Sequence, residues 1–258
     1  RVRYAPSPTG QPHVGNIRTA LFNWLFARRN GGRFIVRVED TDQSRLVSGA
    51  VEGILASLKW LGVDWDEGPE TGGDYGPYFQ SQRLQSYQKA ALQLVGDDYA
   101  YYCYCSTERL DTMRKAQVAE GKPPRYDRHC LNISSERLRQ YRAGGREPVV
   151  RFKMPGAQDI FLNDLVRGEV SWDSDTLDDF IIQKSDGFPT YHLANVLDDH
   201  HMEISHVLRA EEWLASAPRH LMLYRAFGFE PPLFGHLPMI LGPDRAKLSK
   251  RHGATSVL

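Results

Sequence analysis

The sequence predicts an α/β fold, a parallel sheet interrupted by an inserted α+β unit. Three observations carry that prediction. Strand-like and helix-like segments alternate through Leu61, aromatic runs with short strands and turns begin at Tyr99, and a helical pattern resumes after Pro189. Neither an internal repeat nor a low-complexity linker divides the chain, so one split domain with an insertion is the simplest organisation. Its parts are 1–98 and 186–258, with the inserted unit at 99–185.

The elements follow in order. Val2 to Ala5 alternates and is β-prone, and Ile17 to Arg29 places Ile17, Leu21, Trp24, Leu25 and Phe26 at helical spacing. Phe34 to Val38 is a β-branched strand that runs into Glu39-Asp40-Thr41-Asp42, and Val51 to Leu61 is an amphipathic helix. Gln82 to Leu94 is helical, Tyr99 to Tyr104 is strand-like, and Glu108 to Glu120 is a polar helix. Strands are expected at Val149–Lys153, Ile160–Asp164 and Asp179–Gln183. Helix returns over His192 to Asp198, a strand ends at Val207-Leu208-Arg209, and one long helix covers Trp213 to Phe227.

With 258 residues, 41% of them hydrophobic, the chain can fill a sizeable core. No uncharged apolar run reaches the ~18 residues of a spanning helix, and the start of the chain lacks a signal-peptide core. A cytoplasmic or organellar-matrix enzyme with no membrane partner is expected. Lys plus Arg number 32 and Asp plus Glu 32, so nothing draws the whole molecule to polyanions and any nucleic-acid face must be local.

Two stretches suit phosphate. Pro6-Ser7-Pro8-Thr9-Gly10-Gln11-Pro12-His13-Val14-Gly15-Asn16 joins the first strand to the first helix. A helix N-terminus offers free N–H groups and partial positive charge there, His13 can donate to phosphate oxygens, and Gly15 lets a ligand approach the backbone. Far downstream, Gly242 to Arg251 packs Arg245, Lys247, Lys250 and Arg251 into a loop able to neutralise a leaving pyrophosphate. Singly, a capping histidine and a solvated basic loop would explain them; together, at the two ends of an α/β unit, they point to phosphoryl chemistry.

These motifs, P-S-P-T-G-x-x-H-V-G-N and K-L-S-K-R, resemble the two signatures of class I aminoacyl-tRNA synthetases. Arg3 to Gly10, Val38 to Asp42, Tyr191 to Asp199 and Leu208 to Trp213 are similar in order and spacing to the glutamyl-tRNA synthetase family, and the resemblance covers the whole chain. It implies a Rossmann-like sheet with an inserted acceptor-binding domain. It further implies ligation of L-glutamate to tRNA(Glu) through a glutamyl-adenylate, with ATP and Mg2+, by a monomer, the chain being a catalytic portion without an anticodon-binding region. A shortened relative that glutamylates a modified tRNA base, a glutaminyl enzyme and a non-catalytic RNA-binding module are the competing readings.

Carried onto this sequence, the resemblance assigns catalysis to His13, Lys247 and Lys250. ATP falls to Pro8, His13, Gly15, Asn16, Glu212, Lys247, Leu248, Ser249, Lys250 and Arg251. Glutamate falls to Arg3, Ala5, Ser7, Glu39, Tyr191, Asn195 and Arg209. A pocket that separates glutamate from glutamine needs a cation for the side-chain carboxylate, a part given jointly to Arg3 and Arg209; Glu39 takes the α-amino group. Read singly, Arg3 could be a surface strand residue, Glu39 a solvated turn acid, and Arg209 a partner of Glu211 or Glu212.

Cys103, Cys105 and Cys130 lie in one segment, and the first two are too close for a comfortable disulfide. The cluster resembles the zinc-binding insertion of many bacterial glutamyl enzymes, where a histidine usually follows the last cysteine by two residues. Here Asn132 stands there, so the fourth ligand of a structural zinc falls to Tyr126 or His129; three reduced cysteines packed as small apolar groups is the alternative.

Overall fold

The computed structural model describes residues 1–10, 12–242, 244–245 and 248, the side chains of Ser135 and Arg142 excepted. The elements in chain order are β1 (Val2–Tyr4), α1 (Val14–Arg29), β2 (Phe34–Val36), α2 (Ala50–Trp60), α3 (Leu84–Gly96), β3 (Ala100–Cys103), α4 (Thr107–Ala119), α5 (Ser135–Ala143), β4 (Val149–Phe152), β5 (Asp159–Asp164), β6 (Gly168–Asp173), β7 (Ile181–Gln183), α6 (Tyr191–His201), β8 (His206–Ala210), α7 (Ala217–Phe227) and β9 (Leu233–Leu237). Among them no helix is long and apolar enough to cross a membrane.

The expected parallel pairing is present. β1 pairs with β2, Arg3 opposite Ile35, and β8 pairs with β9, Arg209 opposite His236. The Ser205 and His206 amides donate to the Arg1 carbonyl at 3.0 and 3.3 Å, which sets β8 beside β1. The chain leaves β1 toward β2 on one side and reaches β8 on the other. That reversal is the topological switch outside which open α/β sheets bind ligands.

The segment 99–185 holds an antiparallel sheet of order β3-β4-β7 and the antiparallel hairpin β5–β6. Its burial is not separate. Val150, Phe152, Ile160 and Ile182 share one core with Ala90, Leu94, Leu193, Val207 and Phe234. The hairpin is also stitched to the far sheet edge, where the Leu165 amide donates to the Phe234 carbonyl at 2.8 Å. A Cβ on Gly235 would lie 2.8 Å from Leu208 Cδ2, so a larger residue there would have to displace the Leu208 side chain.

Several expectations need correction. The helix expected over Trp213 to Phe227 is two elements, a 3₁₀ segment Glu211–Ser216 and then α7, because Pro218 lacks the N–H that a continuing helix needs and instead fits α7's first turn. Helix α1 begins at Val14, three residues ahead of the apolar spacing, because His13 caps it. β6, β9 and α5 were not expected. β6 is mostly exposed, and α5 carries the polar sequence Ser-Glu-Arg-Leu-Arg-Gln-Tyr-Arg-Ala, so neither shows a strong apolar period.

Candidate functional site

A cavity of about 560 Å³ opens at the carboxyl ends of β1 and β8. Arg3, Ala5, Ser7, Glu39, Tyr191, Asn195 and Arg209 all line it. A neighbouring cavity of about 310 Å³ is lined by His13, Gly15, Asn16, Glu212 and Leu248, and Asn16 and Glu212 face both. Pro8 lines neither; it is buried, and its carbonyl accepts from the Val47 amide at 3.0 Å. Lys247, Ser249, Lys250 and Arg251 lie outside the described residues.

His13 is both the cap and a cavity wall. Its Nδ1 accepts from the Gly15 amide at 3.1 Å, which leaves the proton on Nε2, free to donate toward a ligand. The first turn of α1 contains no acidic residue to compete with an anion. A Cβ at Gly15 would sit 3.4 Å from His13 Nδ1, in ordinary contact with that cap.

The larger cavity is built on buried charge. Arg3, only 4% exposed, makes a two-point ion pair with Asp199, Nε to Oδ1 at 3.0 Å and Nη2 to Oδ2 at 3.1 Å. Arg37, fully buried, donates Nη1 to Asp199 Oδ1 at 2.8 Å and Nη2 to Glu39 Oε1 at 3.1 Å. Asn195 Nδ2 donates to the same Glu39 oxygen at 3.1 Å. Asp198 receives Arg83 Nε at 2.7 Å, Gln80 Nε2 at 2.9 Å and the Tyr87 hydroxyl at 2.8 Å. Arg3 is therefore no surface residue and Glu39 no solvated acid.

Burial raises the Glu39 carboxyl above its ordinary value, an effect Arg37 and Arg3 only partly offset. At Asp199 burial acts the same way, but Arg3 and Arg37 outweigh it and hold the carboxyl low. Three guanidinium groups, on Arg3, Arg37 and Arg83, thus face three carboxylates, on Glu39, Asp198 and Asp199.

Arg209 is different. Its partners are neutral: Nε donates to His236 Nε2 at 2.9 Å, and Nη1 donates to the Tyr191 hydroxyl at 3.1 Å and His220 Nδ1 at 3.3 Å. Burial and the nearby Arg209 charge drive His220 well below its ordinary value, and burial takes His192 and His236 down to about 4. These imidazoles are neutral near neutrality and can accept. Among the described residues no carboxylate pairs with Arg209, and its Nη2 is buried without a hydrogen-bond partner. Glu211 pairs instead with Arg167.

The sequence reading passed over Arg37, Asp198, Asp199, His220 and His236. Arg37 had a signal, a charged residue inside the apolar run Phe34–Val38, and Asp198-Asp199 closed a motif already singled out. His236 had none, because its strand was not recognised.

At the cysteine cluster the three Sγ atoms lie within 4.8 Å of one another and all three thiols are free. The Tyr126 hydroxyl lies 3.3 Å from Cys103 Sγ and 3.4 Å from Cys105 Sγ. His129 and Asn132 are exposed. Arg151 stacks over the Tyr126 ring at 4.0 Å, and Arg109 donates to Cys105 Sγ at 3.6 Å, both placed to offset thiolate charge.

A pocket at the carboxyl ends of parallel strands, bordered by a helix N-terminus free of acidic residues, defines the nucleotide-binding α/β class. A model of the class I tRNA synthetase catalytic domain, the branch for E and Q, matches residues 1–258. The chain belongs to that family. Curated relatives include a glutamate–tRNA ligase of Dehalococcoides mccartyi (strain CBDB1), 65% identical over 100% of this chain and 52% of the relative. One from Borrelia duttonii (strain Ly) is 54% identical over 100% of this chain and 51% of its own length. Among solved structures, a glutamate tRNA ligase from Elizabethkingia meningosepticum CCUG26117, in complex with its amino acid, superposes with TM-score 0.94 at 45% identity, over 98% of this chain and 52% of that one. The chain spans about half the length of the curated relatives it matches.

Proposed function

We propose that this chain is the catalytic portion of a cytoplasmic, monomeric glutamate–tRNA ligase. One observation carries the reading: every residue expected to read glutamate lines a single cavity, whose one buried guanidinium without a carboxylate, among the described residues, belongs to Arg209. A ligand carboxylate completes that ion pair and takes up Nη2, with the Tyr191 hydroxyl alongside. Arg3, committed to Asp199, has Nη1 left to assist. Glu39, whose Oε1 is already taken by Arg37 and Asn195, offers its other oxygen to the substrate ammonium. Asn195 thus orients Glu39 rather than the substrate.

The α-carboxylate of glutamate attacks the α-phosphorus of ATP in line, the new bond being carboxylate oxygen to phosphorus and the broken one phosphorus to the bridging oxygen of pyrophosphate. No enzyme nucleophile is needed; positioning and charge neutralisation suffice. His13 Nε2–H and the α1 amides face the phosphates, and Lys247 and Lys250 neutralise the departing pyrophosphate. The glutamyl group then passes to a terminal ribose hydroxyl of tRNA(Glu), releasing AMP, with the unit 99–185 receiving the acceptor end.

Among the described residues the only cluster of three or more metal-type ligands is the cysteine one. Magnesium would enter with the ATP phosphates, whose oxygens are its natural ligands. At the cysteines the donor set fits zinc: three thiolates, with Tyr126 rather than His129 at the fourth corner. Bound there, away from both cavities, zinc would crosslink β3 to the Tyr126–Cys130 loop.

ATP–pyrophosphate exchange with glutamate or glutamine, with and without tRNA, tests the function. Exchange is expected with glutamate only; equal exchange with glutamine overturns the role of Arg209.

A further inference from the structure

The hairpin β5–β6 reaches the substrate pocket through a chain of side chains that the assignments above leave unused. Asp164 closes β5 and is buried. Its Oδ1 accepts from the Val166 amide at 3.0 Å, the Arg167 amide at 2.9 Å and the His236 amide at 3.1 Å. Its Oδ2 faces His236 Nδ1 at 2.5 Å. On the other side of that ring Nε2 meets Arg209 Nε at 2.9 Å. An arginine nitrogen can only donate, so Nε2 must accept and the ring proton must sit on Nδ1, donated to Asp164.

We propose that Asp164 and His236 are positioning residues of the amino acid site: the hairpin carboxylate fixes the tautomer of His236, and His236 holds Arg209 by Nε so that its Nη2 is left for a ligand carboxylate. The inference rests on the reading of Arg209 given above. The geometry explains why a carboxylate is needed one step removed. Placed against Arg209, it would neutralise the guanidinium and compete with the ligand; placed behind a neutral imidazole, it orients the arginine and leaves its charge unpaired. The arrangement also ties the pocket to the inserted segment, because the carboxylate that receives the Nδ1 proton stands at the hairpin turn.

The bond pattern supplies a selective variant. In Asp164→Asn the retained carbonyl keeps the three amide bonds and only the 3.2 Å branch from the His236 amide to Oδ2 is lost, while the new NH2 donates to His236 Nδ1 and moves the ring proton to Nε2, where it opposes the Arg209 donor. In His236→Gln the Oε1 replaces Nε2 as acceptor and needs no tautomer. His236→Phe offers no acceptor and leaves Asp164 in place.

The test is exchange kinetics on the full-length polypeptide with tRNA. Asp164→Asn and His236→Phe are expected to raise the glutamate KM about tenfold with the ATP KM unchanged. His236→Gln should raise it no more than about threefold, and Asp164→Asn/His236→Gln should match His236→Gln alone. An unchanged glutamate KM in both Asp164→Asn and His236→Phe overturns the proposal, as do equal and additive losses of both KM values, which mark a merely structural role. Wild-type protein that exchanges no glutamate overturns the reading of the site itself, and the proposal with it.

Discussion

Asp199 holds Arg3 at two points, through Oδ1 at 3.0 Å and Oδ2 at 3.1 Å, and the same Oδ1 also receives Arg37 at 2.8 Å. Asp199 thus serves two buried cations, and Arg37 shares Glu39 and Asp198 besides. Asp199→Asn is expected to destabilise the fold by about 3 kcal/mol, since breaking a buried pair strands the remaining charge. Urea unfolding measures it, and an unchanged midpoint would show the pair to be dispensable.

Arg3→Ala and Arg209→Ala should separate stability from function. Removing Arg3 orphans Asp199 and lowers the unfolding midpoint; removing Arg209 orphans no carboxylate among the described residues and lowers it less. Glutamate activation should respond more to Arg209→Ala, with kcat/KM down roughly 100-fold from a lost charge-assisted contact. A larger activation loss in Arg3→Ala would reassign the side-chain carboxylate.

Acid should weaken the fold through its histidines. His192 and His236 sit at about 4 in the folded chain against an ordinary 6.5, so the unfolded chain takes up more protons between those values. Stability is complete above about pH 6.5 and falls as pH drops toward 4, by up to ~1.4 kcal/mol per unit for each histidine. Glu39, raised above its ordinary value, acts in the opposite sense and offsets part of the slope. A flat stability profile from pH 7 to 5 would refute the buried neutral rings.

Purified protein is expected to carry about one zinc per chain. His129→Ala should leave the content unchanged, and Tyr126→Phe should lower it. Metal analysis showing the reverse would move the fourth ligand to His129.

Lys247→Ala and Lys250→Ala should lower turnover about 100-fold with little change in substrate KM, the outcome that follows from their proposed action on charge developing in the transition state. A pure rise in KM would count against that role.

The sequence disclosed the pocket better than the frame beneath it. Cavity-lining residues stand in contiguous motifs, so the sequence alone brings forward Arg3, Glu39, Tyr191 and Arg209. Arg37 and Asp199 have no role legible in the sequence, because they cancel each other's charge across 162 residues of chain, and no local pattern records such pairing. His236 went unseen for a related reason: its strand reads Leu-Phe-Gly-His-Leu, where a glycine weakens the strand pattern and is there for close packing. His13 was weighed as either a cap or a phosphate ligand, and its Nδ1 bond to Gly15 shows that capping leaves the second nitrogen available.

The matched charges around helix α6 bear on how such a pocket can be retargeted. Asp198 and Asp199, together with Glu39, balance Arg3, Arg37 and Arg83, so that ensemble is matched in charge before any ligand enters. Under the proposed role of Arg209, selectivity between an acid and its amide hangs on the surroundings of a single guanidinium. A lineage or an engineer could exchange Arg209 and its imidazole neighbours and leave the rest of the scaffold untouched.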